Sequence, residues 1–259
     1  MSGAATRPAA TVLLLRDGAT GLEVFMVVRH REIEFASGAL VFPGGRVEAE
    51  DAAIGAALLP EDPLAGFRIA AIREAFEECG VLLARTAQGE ALTPARGAAI
   101  AARYRDALNA GTQGFRAMLE AEGLVPDVAA LVRFAHWVTP ADLPKRFDTH
   151  FFLAPAPADH AALHDGREAV DSVWIAPGAA LAQAEAGQRI LLFPTRLNLQ
   201  RLAGLRDVAA AMKAARATPI VTVQPEMITD ETGARFMRIP VEAGYGGPLF
   251  PAGLRAMPT

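Results

Sequence analysis

The chain has little with which to build a cross-linked, membrane-spanning or polynucleotide-binding protein. It carries one cysteine, Cys79, in 259 residues. No internal disulfide framework is open to it, and a reducing compartment suits it. Net charge is −4, with no basic tract or Arg/Lys stripe, which argues against polymeric nucleic acid as a partner. Long apolar runs are missing too. The N-terminal run Ala9–Leu15 ends in Arg16 and Asp17 and alternates like a strand rather than a signal-peptide core, so no membrane association is expected. The C-terminal residues AMPT carry no anchor or retrieval signal. A soluble, cytoplasmic protein is the expectation. No internal repeat is visible.

What is present can bury a sizeable core: 52% of residues are hydrophobic and 21% charged. Val12–Leu15 and Leu22–Arg29 read as a hairpin around the Asp17–Gly21 turn. Ala39–Phe42 is a third short strand, and Pro43-Gly44-Gly45 after it reads as a turn, with both glycines suited to positive φ and to close backbone approach. Phe67–Cys79 has helical periodicity and stops at Gly80. Residues 93–131 read as two or three helices. Strands return at Phe134–Val138, Thr149–Leu153 and Ser172–Ile175, followed by one helix over Thr195–Ala215. Ile220–Val223 and Phe236–Ile239 read as a pair of short tail strands. Strands, a central helix, more strands and a further helix imply an α/β layered fold.

On a helical wheel of roughly 100° per residue, Ile69, Ile72, Ala75, Phe76 and Cys79 share one side of the central helix and should face the core. Glu74, Glu77 and Glu78 share the other, with Arg73 beside them and within reach of Glu77. Each like-charged pair at this spacing costs roughly 0.2–0.5 kcal/mol, and the last turn of a helix disfavours negative charge further. A solvated acidic face is one outcome. The other is a divalent cation among hard oxygen ligands, Mg²⁺ or Mn²⁺ rather than zinc, which also points to phosphate chemistry.

The surrounding residues resemble a known motif. The Nudix box reads G-x5-E-x7-R-E-U-x-E-E-x-G-U, with U aliphatic. Arg73-Glu74-Ala75-Phe76-Glu77-Glu78-Cys79-Gly80-Val81 matches its second half, and Gly45 opens the first, with Asp51 standing where the box has Glu. Twenty-one residues, Ala52–Ile72, replace the usual seven, so the box is interrupted. The chain is therefore identified as resembling the Nudix hydrolases. The resemblance implies an α/β/α sandwich, a mixed sheet between helices, forming one domain. Its core would take in about 8–92 and 132–215, with a helical insertion at 93–131 and a C-terminal extension at 216–259. It also implies Glu74 and Glu78 as main metal ligands, Glu77 as a further one, and the Gly44 carbonyl as a loop ligand. Glu74 becomes a candidate for activating water and Arg73 an orienting partner for the carboxylates. Glu168, six residues before Trp174, sits where many members place an additional acid; an ordinary surface glutamate fits it as well.

The interrupted box followed by RIAAIREAFEECGVLL, with RFAHWVTP, KRFDTHFFLAP and LNLQRLAGL beyond, resembles the peroxisomal-type coenzyme A diphosphatases. Their signature upstream of FPGG is half matched: Arg29 and Gly38 fall in place, while His30 and Glu34 replace a small residue and a second Arg. Arg31 is the candidate substitute. The implied substrate is a small nucleotide, CoA or an acyl-CoA, cut to 3′,5′-ADP and a phosphopantetheine. ADP-ribose, NADH and dinucleotides are the alternatives, as is a non-catalytic ligand sensor. The 93–131 helices leave two roles open, a cover for the active site or a homodimer interface. His30, His136, His150, His160 and His164 lack zinc-ligand spacing and read as surface or core histidines. Phe35, Phe147, Phe151 and Trp174 read as cleft or core aromatics.

Overall fold

The computed structural model describes residues 4–29, 38–157 and 169–252. Its organising element is a long strand, β1 (Thr6–Gly18). The run Val12–Leu15 is fully buried, because both faces of the sheet are covered. Val12 and Leu14 enter one core, Leu13 and Leu15 the other, as the two-residue period of a strand requires. One edge of β1 pairs in parallel with β8 (Arg146–Pro155). Its other edge forks. Leu15–Gly18 pairs with β2 (Gly21–Arg29), whereas Ala9–Thr11 pairs with β4 (Gly44–Arg46). At the fork the Val12 amide donates to the Pro43 carbonyl at 2.9 Å. β3 (Leu40–Val41) and β9 (Ala169–Ile175) both pair with β2. β7 (Val132–Val138) lies beyond β8, and β10 (Thr222–Val223) is its parallel neighbour.

One face of this eight-stranded mixed sheet carries α1 (Ala49–Leu58), α2 (Ala65–Cys79), α3 (Pro94–Asn109) and α4 (Phe115–Glu122). The other carries α5 (Pro177–Glu185), α6 (Phe193–Ala203) and α7 (Val208–Ala217). The α/β/α sandwich expected from the sequence is thus the observed architecture. Two small sheets stand outside it: β5 (Ala84–Thr86) with β6 (Leu124–Pro126), and β11 (Glu226–Thr229), β12 (Arg235–Arg238) and β13 (Leu249–Pro251). Among the described residues no helix is long and apolar enough to cross a membrane.

Three local expectations are corrected. Gly44 and Gly45 are extended backbone within β4 rather than a turn, and neither has positive φ. The helix expected over Thr195–Ala215 is two helices. It breaks at Gly204, and Asp207 restarts it by accepting a bond from the Ala210 amide at 2.7 Å. The break docks on the β1–β2 hairpin, where Leu22 N–H donates to the Arg206 carbonyl and Val208 N–H to Asp17. The two tail strands do not pair with each other. β10 extends the main sheet, while Phe236–Arg238 joins the three-stranded tail sheet.

Candidate active site

Helix α2 behaves as its wheel predicts. Ile69, Ile72, Ala75, Phe76 and Cys79 are at most 1% exposed, and Gly80 ends the helix in the left-handed conformation, φ 70°. The opposite side is not a solvated face. It lies against β4 and α1, and Arg73 and Glu78 are buried as well. Close approach explains both glycines, of β4 to α2 at Gly45 and of β4 to β1 at Gly44. A Cβ on Gly45 would stand 2.3 Å from a Glu74 carboxylate oxygen, and one on Gly44 would stand 2.4 Å from the Ala10 carbonyl. The Gly44 amide donates to Glu78 Oε2 at 3.0 Å.

Three carboxylates converge on one guanidinium. Arg73 Nε and Nη2 each bond Asp51 at 3.0 Å, and Arg73 Nη1 lies 2.9 Å from both Glu74 and Glu77. Arg73 Nη2 also donates to the Arg46 carbonyl at 2.9 Å. Asp51 is fully buried at the third position of α1, where it also caps the helix by accepting from the Glu48 amide at 2.8 Å. The extra residues of the interrupted box therefore form a helix that delivers this carboxylate to Arg73. Burial pushes the Asp51 carboxyl above its ordinary range, with Arg73 opposing. Against its own burial, Arg73 is held firmly protonated by Asp51, Glu74 and Glu77. Burial is also the main cause lifting Glu74 to about 7 and Glu77 above the usual range; Arg73 opposes both, and Glu77 adds to the rise at Glu74. One cation among these acids leaves negative charge in excess, and hard oxygens with such an excess suit a divalent ion.

The acids floor a cleft of about 740 Å³. Glu74, Glu77, Arg73, Gly44 and Gly45 form its base, with Arg7 and Lys145 also lining it. Its sides are largely apolar: Val41 and Phe42, Trp137 and Val138, Phe147 and Phe151, Phe193 and Pro194, and the tail residues Pro225 and Met237. Phe147 and Phe151 are thus cleft residues, whereas Trp174 packs edge-on against Phe25 with centroids 5.2 Å apart. Glu78 does not line the cleft; it faces the Gly44 amide. Arg29 ends β2, where the pairing with β9 shifts register. Gly38 has φ 69° and does not line the cleft. Arg31 and Glu168, like His30, Glu34, Phe35, His160 and His164, lie outside the described residues.

Sequence reasoning missed two features. Helix α3 supports the acidic helix: Arg105 donates to the Glu77 and Glu78 carbonyls, and Asn109 donates to the Glu77 carbonyl at 3.3 Å. A cation on these terminal carbonyls offsets the dipole that disfavours the acids there. No local pattern signals it, because the donors lie 27 or more residues away. The second feature is a cluster of His136, Asp148 and His150 on the α2 side of β7 and β8, where His150 packs edge-on against Phe67. His136 bonds Asp148 at 2.5 Å, and its ring stacks parallel on His150, 8° between planes and 4.0 Å between centroids. A metal ion lies near the plane of every imidazole that holds it, and parallel rings that far apart share no such point. The geometry is that of a stacked, hydrogen-bonded pair.

The close approach in β4 carries an expected result. Gly45→Ala should leave the unfolding midpoint nearly unchanged, since only the end of a flexible side chain must move, yet lower kcat at least about tenfold by displacing Glu74. Gly44→Ala, which meets backbone, should instead lower the midpoint. Urea unfolding and steady-state kinetics on the two variants separate the effects; equal behaviour would contradict this geometry.

Residues 52–202 match the family described as the NUDT19 Nudix domain. The acyl-coenzyme A diphosphatase NUDT19 of Homo sapiens is 33% identical over 58% of this chain and 42% of its own. That of Gallus gallus is 28% identical over 71% and 62%. The chain thus spans less than two thirds of the length of these curated relatives. A solved NUDIX hydrolase from Alicyclobacillus acidocaldarius superposes with a TM-score of 0.66 at 30% identity, over 81% of this chain and 96% of that one. With more than half of the chain matched and that fold shared, the protein belongs to the Nudix family.

Proposed function

We propose that the protein is a divalent-metal-dependent diphosphatase acting on coenzyme A or acyl-coenzyme A, releasing 3′,5′-ADP and the corresponding phosphopantetheine. The observation that carries this reading is the excess of buried carboxylates around Arg73 at the base of a largely apolar cleft. In the reaction water adds to one phosphorus, the bridging P–O bond breaks, and two phosphate monoesters leave. Glu74, Glu77 and Glu78, with the Gly44 carbonyl, are the residues that would hold Mg²⁺ or Mn²⁺. The ion would screen the diphosphate charge and lower the pKa of bound water.

The chain's own groups do the rest. Glu74 is the candidate acceptor of the water proton, and Arg73 fixes Glu74 and Glu77 in place while neutralising part of their repulsion. The apolar sides limit access of bulk water and strengthen every charge interaction at the base. The relatives named as acyl-coenzyme A diphosphatases support the choice of substrate.

The test is product analysis on CoA, a medium-chain acyl-CoA, ADP-ribose, NADH and a diadenosine polyphosphate, with Mg²⁺, Mn²⁺ or EDTA. The expected result is EDTA-sensitive release of 3′,5′-ADP, with the highest kcat/KM on a CoA substrate. Preference for ADP-ribose, NADH or the dinucleotide would replace the substrate assignment. Tight binding without turnover of any of them would make the protein a sensor.

A further inference from the structure

We infer that the C-terminal segment beyond the family-matched span is a specificity element, whose residues Met237 and Pro225 receive the uncharged arm that the substrate carries beyond its diphosphate. This rests on the diphosphatase reading above. The family match ends at residue 202, yet Pro225 and Met237 line the same cleft as Glu74 and Glu77. Met237 lies on the middle strand of the tail sheet, with Met227 and Phe250 as cross-strand partners. The sheet is anchored: Phe250 meets Phe193 at 5.5 Å between centroids, and Phe193 meets Trp137 at 5.8 Å.

Farther along, the Tyr245 hydroxyl donates to Asn198 Oδ1 at 2.8 Å and accepts from Trp137 Nε1 at 3.1 Å, all three residues being buried. Tail, β7 and α6 are therefore joined beneath the cleft wall. A surface appendage would not bury a tyrosine on a core tryptophan and asparagine.

The wall defines the chemistry of its occupant. Trp137, Phe193, Pro225 and Met237 offer no side-chain acceptor to a sugar, and the one indole donor is already engaged by Tyr245. Trp137 and Phe193 are at most 7% exposed and packed edge-to-face on each other, so neither of these two rings presents a free face to a second nucleobase. An unbranched chain of methylenes, amides and a thioester fits such a wall, and burying its apolar groups there is favourable. Half-buried Met237, unbranched and polarizable, adapts to chains of different length.

The experiment compares wild type, Met237→Glu and Met237→Leu in the full chain with Mg²⁺. KM and kcat are measured on a medium-chain acyl-CoA, and Ki for 3′,5′-ADP, which has the nucleotide but no arm. We expect Met237→Glu to raise KM about tenfold or more with kcat within about twofold. Ki should stay unchanged, and Met237→Leu should match wild type. An unchanged KM overturns the proposal, as does a rise in Ki equal to that in KM. Wild-type protein that cleaves neither CoA nor acyl-CoA refutes the substrate assignment first, and this proposal with it.

Discussion

Glu78→Gln lowers kcat on the preferred substrate by roughly 100-fold or more, while the protein stays folded. Gln keeps a carbonyl oxygen, which can still accept the Gly44 amide now 3.0 Å from Glu78 Oε2. The tie between β4 and α2 therefore survives, and what is lost is one negative charge. Mutating partners that only support a metal ligand typically costs 10–100-fold; removing a charged ligand itself should reach or exceed the upper end. The apparent affinity for Mn²⁺ should fall in parallel, which titration calorimetry on the variant measures directly. Near-normal kcat with near-normal Mn²⁺ affinity would show that Glu78 is only a strap between strand and helix. Its absence from the cleft lining makes this the sharpest question about the site.

The parts of this architecture visible in the sequence are those written within one element. The apolar stripe of α2 and the arc of Glu74, Glu77 and Glu78 both follow from the period of a helix, and the structure brings Arg73 to Glu77 as that period predicts. An α/β layered fold follows from the order of elements, and the resemblance to the Nudix hydrolases implies the α/β/α arrangement. Residues whose roles depend on distant partners were not visible. Asp51 stood out only as a conservative departure from a motif. Its burial against Arg73 depends on α1, whose Ala-rich sequence gives no sharp apolar stripe.

Pro43-Gly44-Gly45 has turn composition, but here the glycines pair with the other edge of β1, Gly44 lying close on β1 itself and Gly45 close on α2. Leucines continue at helical spacing across Gly204, which hid the break that Asp207 and the hairpin enforce. The cleft walls come from β7, β8, α6 and the tail. No local pattern could have joined them.

Arg73→Met destabilises the protein by about 3–5 kcal/mol, the range for a buried ion pair that loses one partner. Asp51 is fully buried and takes its side-chain bonds from Arg73, so the variant leaves that carboxylate without its countercharge. Arg73→Met/Asp51→Leu should recover at least half of the loss, because removing both members of a buried pair is often close to neutral. Activity should not recover with it. Glu74 and Glu77 still lack the guanidinium 2.9 Å from each of them, so their mutual repulsion and their orientation stay uncorrected, and kcat should remain at least about tenfold down. Urea unfolding at pH 7 together with kinetics on the single and double variants makes this separation. A single variant within about 1 kcal/mol of wild type would mean that Arg73 is not the structural countercharge. A double variant that regains kcat along with stability would reduce its role in catalysis to folding alone.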